Sequence, residues 1–217
     1  MEISVNTFIS LDGVMQGPGG VEEDRSNGFE RGGWLVPHSG DGQLDPVGGW
    51  FRKADAFLLG RTTFEMMRMY WSQVTEPDNI VATALNTWQK YVVSDTLSDT
   101  DAAWGKTTVL RGDVIEQVRR LKDQPGGELQ VHGSWRLART LHDAGLVDTY
   151  RLLQVPVVVG DGKRLFADGA VPATYRITES EVLDGGAGVV SLTLRQAGFG
   201  TTGTGEFTVE DGNEAVV

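Results

Sequence analysis

The sequence has no cysteine among its 217 residues, which excludes disulfide bonds and thiolate metal sites. It also lacks any segment that approaches the ~18 consecutive apolar residues of a membrane helix. Its first residues do not combine the basic and apolar stretches of an export signal. From these absences we expect a soluble, cytoplasmic protein without a membrane partner.

Positive charge is scarce as well. The chain carries 19 Lys and Arg residues against 30 Asp and Glu residues, which gives a formal net charge of −11. That charge would repel a polyanion, and no Lys/Arg cluster interrupts it, so we predict no nucleic-acid partner. The 3 histidines lie far apart without other ligands at metal-binding spacing, and we therefore predict no metal site.

Residues 55–65 (DAFLLGRTTFE) show a strand-glycine-helix pattern. An apolar run reaches Gly60 and an amphipathic segment follows at once, which predicts a buried strand leading directly into a helix. Thr62 and Glu65 have the spacing of a capping box at the helix start. The free amides of that start, together with Arg61, would suit a phosphate group, although a plain strand-helix junction with a surface arginine explains the same residues.

A second junction of this kind is predicted at residues 128–144, where a strand ends at His132, Gly133 and Ser134 follow, and a helix begins. The ordinary pKa of histidine suits proton transfer, but a strand-end histidine held by backbone groups is the simpler interpretation of His132. Later, the run GDGKRL lacks the third glycine and the following helix of a dinucleotide fingerprint, which favours a turn between strands.

The remaining elements alternate strand and helix before ending in two strands at 175–183 and 189–195, which predicts an α/β domain with a mostly parallel sheet and an antiparallel edge. Asp12 closes the first strand, at the edge where such sheets place ligands, although Asp-Gly is also a common turn pair. Residues 13–49 are rich in glycine and proline, so we predict a long loop that is either functional or disordered.

Several motifs carry a resemblance to a known family. LLGRTTFE at 58–65 resembles the G-R-x-T-[WFY]-E motif of the dihydrofolate reductase superfamily. SLDG at 10–13, LQVHGSWRLARTLHDAGLVD at 129–148 and PVVVGDGKRLF at 156–166 also match in order. The chain is most similar to bacterial proteins that resemble the reductase (C-terminal) domain of the riboflavin-biosynthesis bifunctional deaminase-reductase, over roughly residues 2–196.

This resemblance implies a dihydrofolate-reductase-like, three-layer α/β/α fold and a homodimer. We expect residues 1–196 to form the reductase domain and the Gly/Thr/Glu-rich residues 197–217 to form a flexible tail, whose alternating Phe207 and Val209 could instead add an edge strand across a dimer. In this family the segment corresponding to 13–49 would cover the nicotinamide and the substrate.

The resemblance also implies NADPH as the cofactor. The predicted cofactor-binding residues are Gly60, Arg61, Thr62, Thr63, Ser94, Gly133 and Ser134. Asp95 departs from the family pattern, because a carboxylate would repel a 2′-phosphate but could accept from a free 2′-hydroxyl, and it keeps NADH open as an alternative.

The function implied is a reductase that transfers a hydride to a pteridine, a pyrimidine or a related small heterocycle. Asp12 is the candidate catalytic residue, to orient or protonate that substrate, while Asp45 lies only near the position of the acidic residue of dihydrofolate reductases. Two alternatives stay open: authentic dihydrofolate reduction, and a protein that binds a nucleotide or heterocycle without turnover.

Overall fold

The computed structural model describes residues 1–40, 45–183, 188–210 and 213–216. Its strands are β1 (Glu2–Ser10), β2 (Ala54–Gly60), β3 (Gln89–Val93), β4 (Thr107–Leu110), β5 (Glu128–His132), β6 (Thr149–Val155), β7 (Ala173–Val182), β8 (Val190–Phe199), β9 (Phe207–Glu210) and β10 (Asn213–Val216). Its α-helices are α1 (Asp45–Arg52), α2 (Arg61–Trp71), α3 (Ile80–Thr87), α4 (Val114–Lys122) and α5 (Trp135–Asp143).

The main sheet has the strand order β4-β3-β2-β5-β1-β6-β8-β7. Strands β1 to β6 pair in parallel, so their carboxyl ends share one edge of the sheet. The last two strands of this sheet, β7 and β8, are antiparallel to their neighbours. The predicted mixed sheet with a C-terminal antiparallel hairpin is therefore confirmed.

Alternating side chains on the strands separate two apolar cores. On β2, Leu58 faces the core formed with α4 and α5, whereas Phe57 and Leu59 face the core formed with α1, α2 and α3. Successive strand residues point to opposite faces, so a continuous apolar run on β2 indicates a strand covered by helices on both sides. This arrangement gives the three layers of the predicted α/β/α fold.

The segment predicted as a long loop is shorter and more ordered than expected. Residues 41–44 lie outside the described part, and α1 begins at Asp45. Over residues 13–40 the chain folds back on itself, with backbone hydrogen bonds from Gly33 to Gly17 (2.7 Å) and from Leu35 to Pro18 (3.1 Å). The indole of Trp34 also donates to the carbonyl of Gln16 (2.8 Å).

At the C-terminus, β8 continues to Phe199, beyond the predicted domain limit at residue 196. Strands β9 and β10 follow as an antiparallel hairpin separate from the main sheet. The division into a domain and a tail stays a prediction. Among the described residues, no helix has both the length and the apolar character needed to cross a membrane.

Candidate active site

A cleft of about 620 Å³ lies at the shared carboxyl edge of the parallel strands. This volume falls within the range of small-molecule and cofactor sites. One wall comes from the starts of α2 and α5, and the other comes from loop 13–40 and the end of β1. The predicted site residues that line the cleft are Gly60, Arg61, Thr62, Thr63, Gly133 and Ser134.

The two strand-glycine-helix junctions are joined to each other along one wall of this cleft. The amide of Gly60 donates to the hydroxyl of Ser134 (3.0 Å), and the amide of Ser134 donates to the hydroxyl of Thr63 (3.2 Å). Ser134 and Gly133 both adopt left-handed backbone angles, with φ of 52° and 53°. In the described part of the chain, no side chain caps the start of α2 or of α5, so first-turn amides of both helices are left for a ligand.

The predicted capping box between Thr62 and Glu65 is wrong. The cap position is Gly60, whose extended backbone (φ −73°, ψ 153°) places the helix start at Arg61. The carboxylate of Glu65 accepts instead from the guanidinium of Arg61 (2.9 Å). Because the helix begins two residues before a Thr62 cap would require, the T-x-x-E spacing has no free end to cap.

Arg61 is exposed at the mouth of the cleft. Besides its pair with Glu65, it donates through Nη1 to the hydroxyl of Thr96 (2.7 Å). Ser94 lies beside the cleft, not among its lining residues, and its hydroxyl accepts from the amides of Thr96 (3.2 Å) and Leu97 (3.0 Å). Ser94 therefore shapes the turn that carries Thr96 to Arg61.

The carboxylate of Asp95, the residue that raised the question of NADH, also has a local partner. Its Oδ1 accepts from the amide of Gly112 at 2.8 Å. One carboxylate oxygen is thus engaged in joining the turn after β3 to the turn after β4.

Asp12 lies at the same end of β1 but outside the cleft lining. Its carboxylate accepts from the hydroxyl of Ser10 (2.7 Å) and from the amides of Val159 (3.0 Å) and Gly160 (2.8 Å). Arg164 adds a longer contact of 3.3 Å. Burial opposes ionisation, but these hydrogen bonds outweigh it and hold the pKa of Asp12 well below its ordinary value. The catalytic role of Asp12 stays a prediction.

His132 lines the cleft at the end of β5 and is 6% exposed. Its Nε2 lies 3.0 Å from the side-chain oxygen of Gln130. The centre of its ring lies 4.4 Å from the centre of the Phe51 ring. Burial, with a smaller contribution from the charge of Arg151, lowers the pKa of His132 to about 3. The ring is therefore neutral near pH 7.

Behind His132 runs a buried polar network that the sequence reasoning missed. The carboxylate of Glu128 accepts from both terminal nitrogens of Arg151, one of them at 2.8 Å, and from the amide nitrogen of Gln130 (2.8 Å). This side-chain nitrogen, Nε2 of Gln130, also donates to the backbone carbonyl of Trp50 (2.7 Å). The sequence feature that indicates this network is the alternation of Glu128, Gln130 and His132 along β5, which puts three polar side chains on one face of the strand.

Loop 13–40 brings two carboxylates to the opposite wall. Asp24 pairs with Lys163 (2.6 Å). Glu23 accepts from the amides of Gly19 and Gly20, and burial raises its pKa above the ordinary value. The cleft is lined by three cationic side chains, Arg61, Arg136 and Lys163, against these two carboxylates. The site thus has a small positive excess within an acidic protein.

Comparison with known proteins agrees with this geometry. The model of the RibD C-terminal domain matches residues 2–191. The chain belongs to the RibD C-terminal domain family. It is 30% identical over 172 residues to the uncharacterized protein YyaP of Bacillus subtilis (strain 168), an alignment that covers 76% of this chain and 80% of YyaP.

Two solved structures show the same fold as this RibD C-terminal domain protein. A diaminohydroxyphosphoribosylaminopyrimidine deaminase/5-amino-6-(5-phosphoribosylamino)uracil reductase from Thermotoga maritima has a TM-score of 0.61 at 14% identity, with coverage of 90% of this chain and 56% of that chain. A dihydrofolate reductase from Enterococcus faecalis, complexed with NADP(H) and RAB-propyl, has a TM-score of 0.56 at 14% identity, with coverage of 90% and 96%. The predicted dihydrofolate-reductase-like fold is thereby confirmed, and the match to the RibD C-terminal domain confirms the family resemblance inferred from the motifs.

Proposed function

We propose that this protein is an NADPH-dependent reductase that transfers a hydride to a pteridine, a pyrimidine or a related heterocycle. One observation carries the proposal: the two glycine junctions meet at one cleft and leave the first-turn amides of two helices uncapped. Such helix starts bind phosphate, since their amides donate and their dipoles favour negative charge.

The residues around these amides fit a dinucleotide. Arg61 is exposed beside the start of α2, and Arg136 lines the cleft beside the start of α5 without an ion pair to any described residue. Thr62, Thr63 and Ser134 add hydroxyl groups along the same wall. We assign the pyrophosphate to the two helix starts and the 2′-phosphate of NADPH to the side of Arg61 and Ser94.

We favour NADPH over NADH because of the contacts that the Arg61 guanidinium and the Asp95 carboxylate make. The Arg61 guanidinium lies at the cleft mouth with a planar donor fork suited to phosphate. The carboxylate of Asp95 already accepts from Gly112 (2.8 Å), which leaves it less free to accept from a ribose hydroxyl.

The cofactor would supply the hydride. The protein would align the substrate with the cofactor, exclude water and provide hydrogen-bond acceptors for the substrate. Loop 13–40 forms the wall opposite the cofactor-binding helices, and its Gln16 and Glu23 face the cleft. Trp50 and Phe8 contribute apolar surface at the end of β1 and α1. These groups suit a flat heterocycle with polar edges better than an anionic substrate.

Calorimetric titration with NADPH and with NADH tests the cofactor assignment. We expect tighter binding of NADPH, and we expect Arg61→Ala to weaken NADPH by about ten- to a hundredfold while NADH changes little, because a charge-assisted hydrogen bond is worth ~1.5–3 kcal/mol. Arg120→Ala is the matched control, since Arg120 also pairs with a glutamate one helical turn away (3.1 Å) but lies on α4. Equal weakening of both nucleotides by Arg61→Ala would refute the phosphate role.

Oxidation of NADPH in the presence of candidate substrates tests the reaction. A panel of dihydrofolate, oxidised pterins and aminouracils separates the proposed reductase from authentic dihydrofolate reduction. Cofactor binding without oxidation across the panel would favour a binding protein. We also propose that the reductase acts as a homodimer, which light scattering of the eluted protein would establish.

A further inference from the structure

The side-chain amide of Gln130 has only one orientation that satisfies its surroundings. Its nitrogen faces two acceptors, the carboxylate of Glu128 (2.8 Å) and the carbonyl of Trp50 (2.7 Å). Neither acceptor can donate, so the amino group must lie on that side and the amide oxygen must face His132. Nε2 of His132, 3.0 Å from this oxygen, must therefore carry the proton.

With the proton on Nε2, Nδ1 of a neutral His132 has a free lone pair. No described residue donates to it. The buried side-chain polar atoms that lack a partner in the described part of the chain are Arg151 Nε and Thr208 Oγ1, so Nδ1 of His132 is not sealed within the protein. The ring belongs to the lining of the cleft, and the acceptor is open to a ligand there.

His142 provides an internal comparison. Its Nε2 lies 2.8 Å from the carbonyl of Val171 and must donate to it. Its Nδ1 faces the hydroxyl groups of Tyr150 (3.1 Å) and Tyr175 (3.3 Å). The two buried histidines thus share one tautomer, but the acceptor of His142 is satisfied by tyrosine, whereas that of His132 is not.

We propose that Nδ1 of His132 accepts a hydrogen bond from an N–H group of the heterocyclic substrate and so determines which heterocycles the cleft takes. This inference rests on the proposed reductase function. The His132 ring is held in place before the ligand arrives. Its centre lies 4.4 Å from that of the Phe51 ring and 5.8 Å from that of the Phe57 ring, and Gln130 accepts from its Nε2. A rigid acceptor of this kind selects rings with a lactam N–H or an amino group at that edge and rejects those with an acceptor or an alkyl group there.

Nuclear magnetic resonance of protein labelled with ¹⁵N-histidine measures both parts of the inference. The 3 histidines give few signals, and His132→Asn assigns that of His132. We expect an Nε2-protonated, neutral ring in the free protein near pH ~7. With NADP⁺ and 5,6-diaminouracil as probes, we expect the Nδ1 signal of His132 to move to a hydrogen-bonded position, toward that of His142, while the signal of His142 stays still.

A proton on Nδ1, or a charged ring at that pH, would overturn the inference. If NADP⁺ binds but 5,6-diaminouracil leaves the Nδ1 signal unmoved, this inference fails and the proposed function stands. If neither NADP⁺ nor NADPH binds, both the proposed function and this inference fail.

Two substitutions separate the ligand contact from the contact with Gln130. Both His132→Asn and His132→Leu lose the bond to Gln130, but only Asn places an acceptor oxygen close to the former Nδ1. We expect His132→Leu to weaken 5,6-diaminouracil binding about tenfold or more, since an unpaired donor costs ~1–3 kcal/mol, and His132→Asn to recover most of that loss. Equal losses in the two variants, with NADP⁺ binding unchanged, would overturn the role of Nδ1.

Discussion

Replacing Asp12 by alanine tests what its carboxylate does, because that group joins two segments far apart in the chain. It connects the end of β1 to the turn at residues 159–160 through the amides of Val159 and Gly160. Hydrogen bonds to a charged acceptor are worth ~1.5–3 kcal/mol each, less where water can replace the acceptor. The amide of Gly160 is exposed and that of Val159 is partly buried, so we expect Asp12→Ala to lower the free energy of unfolding by about 3 kcal/mol.

Thermal and urea unfolding at neutral pH measure this loss. For a chain of this size, 1 kcal/mol corresponds to ~2–4 °C, so the midpoint should fall by about 6–12 °C. Asp12→Asn keeps one acceptor and should lose about half as much. Asp161→Ala is the control, since among the described residues Asp161 accepts only from the amide of its neighbour Gly162 (2.8 Å), in an exposed turn.

The pH dependence has a definite sign. Hydrogen bonds that outweigh burial depress the pKa of Asp12 in the folded protein, so its contribution is fully present above the unfolded pKa of ~3.9 and is lost as pH falls through the lower folded value. The stability difference between the wild type and Asp12→Ala should therefore be constant above pH ~5 and shrink below pH ~4.

Two results would refute this reasoning. If Asp12→Ala is as stable as the wild type, the hydrogen bonds from the amides of Val159 and Gly160 do not hold the turn. If Asp12→Asn keeps wild-type stability but loses kcat with KM unchanged, Asp12 acts on the reaction directly, as the sequence predicted.

Three further substitutions test the contacts that build the cleft. Ser134→Ala removes the acceptor for the Gly60 amide and should cost about 1–2 kcal/mol in chemical denaturation, while Ser134→Gly should cost less because glycine accepts the left-handed backbone; the reverse order would contradict this. Glu128→Gln leaves the guanidinium of Arg151 buried beside a neutral partner and should cost about 3–5 kcal/mol, so a loss below ~1 kcal/mol would show that the pair is dispensable. Lys163→Met should speed hydrogen exchange in loop 13–40 about tenfold with little change in global stability, and unchanged exchange would show that this ion pair does not hold the loop.

The strand-glycine-helix junctions could be predicted from sequence because their determinants are local. An apolar run that meets Gly60 and changes to helical periodicity defines the element order within about ten residues. Which of these residues caps the helix was not predictable in the same way. The amide of Gly60 finds its acceptor on Ser134, in a different junction, and this contact exists only once β2 and β5 pair.

The order of loop 13–40 depends on contacts of even longer range. Gln16 donates to the carbonyls of Asp24 and Ser26 (both 3.1 Å) and accepts from the amide of Lys163 (3.0 Å). Composition alone indicated a loop, since Gly and Pro dominate there. The amide of Lys163 lies in the turn after β6, and no local pattern in residues 13–40 refers to that turn.

The two ends of the cleft differ in the groups that line them. The end proposed for the cofactor consists largely of the uncapped first-turn amides of α2 and α5, so its chemistry depends on chain path and persists through many side-chain changes. The opposite end includes the side chains of Glu23 and His132. Glu23 is held by the amides of Gly19 and Gly20 in its own loop, and His132 is held by Gln130 on the same strand and by Phe51 on α1. A change of substrate in this fold should therefore require substitutions at Glu23, His132 or their supports and leave nucleotide binding intact.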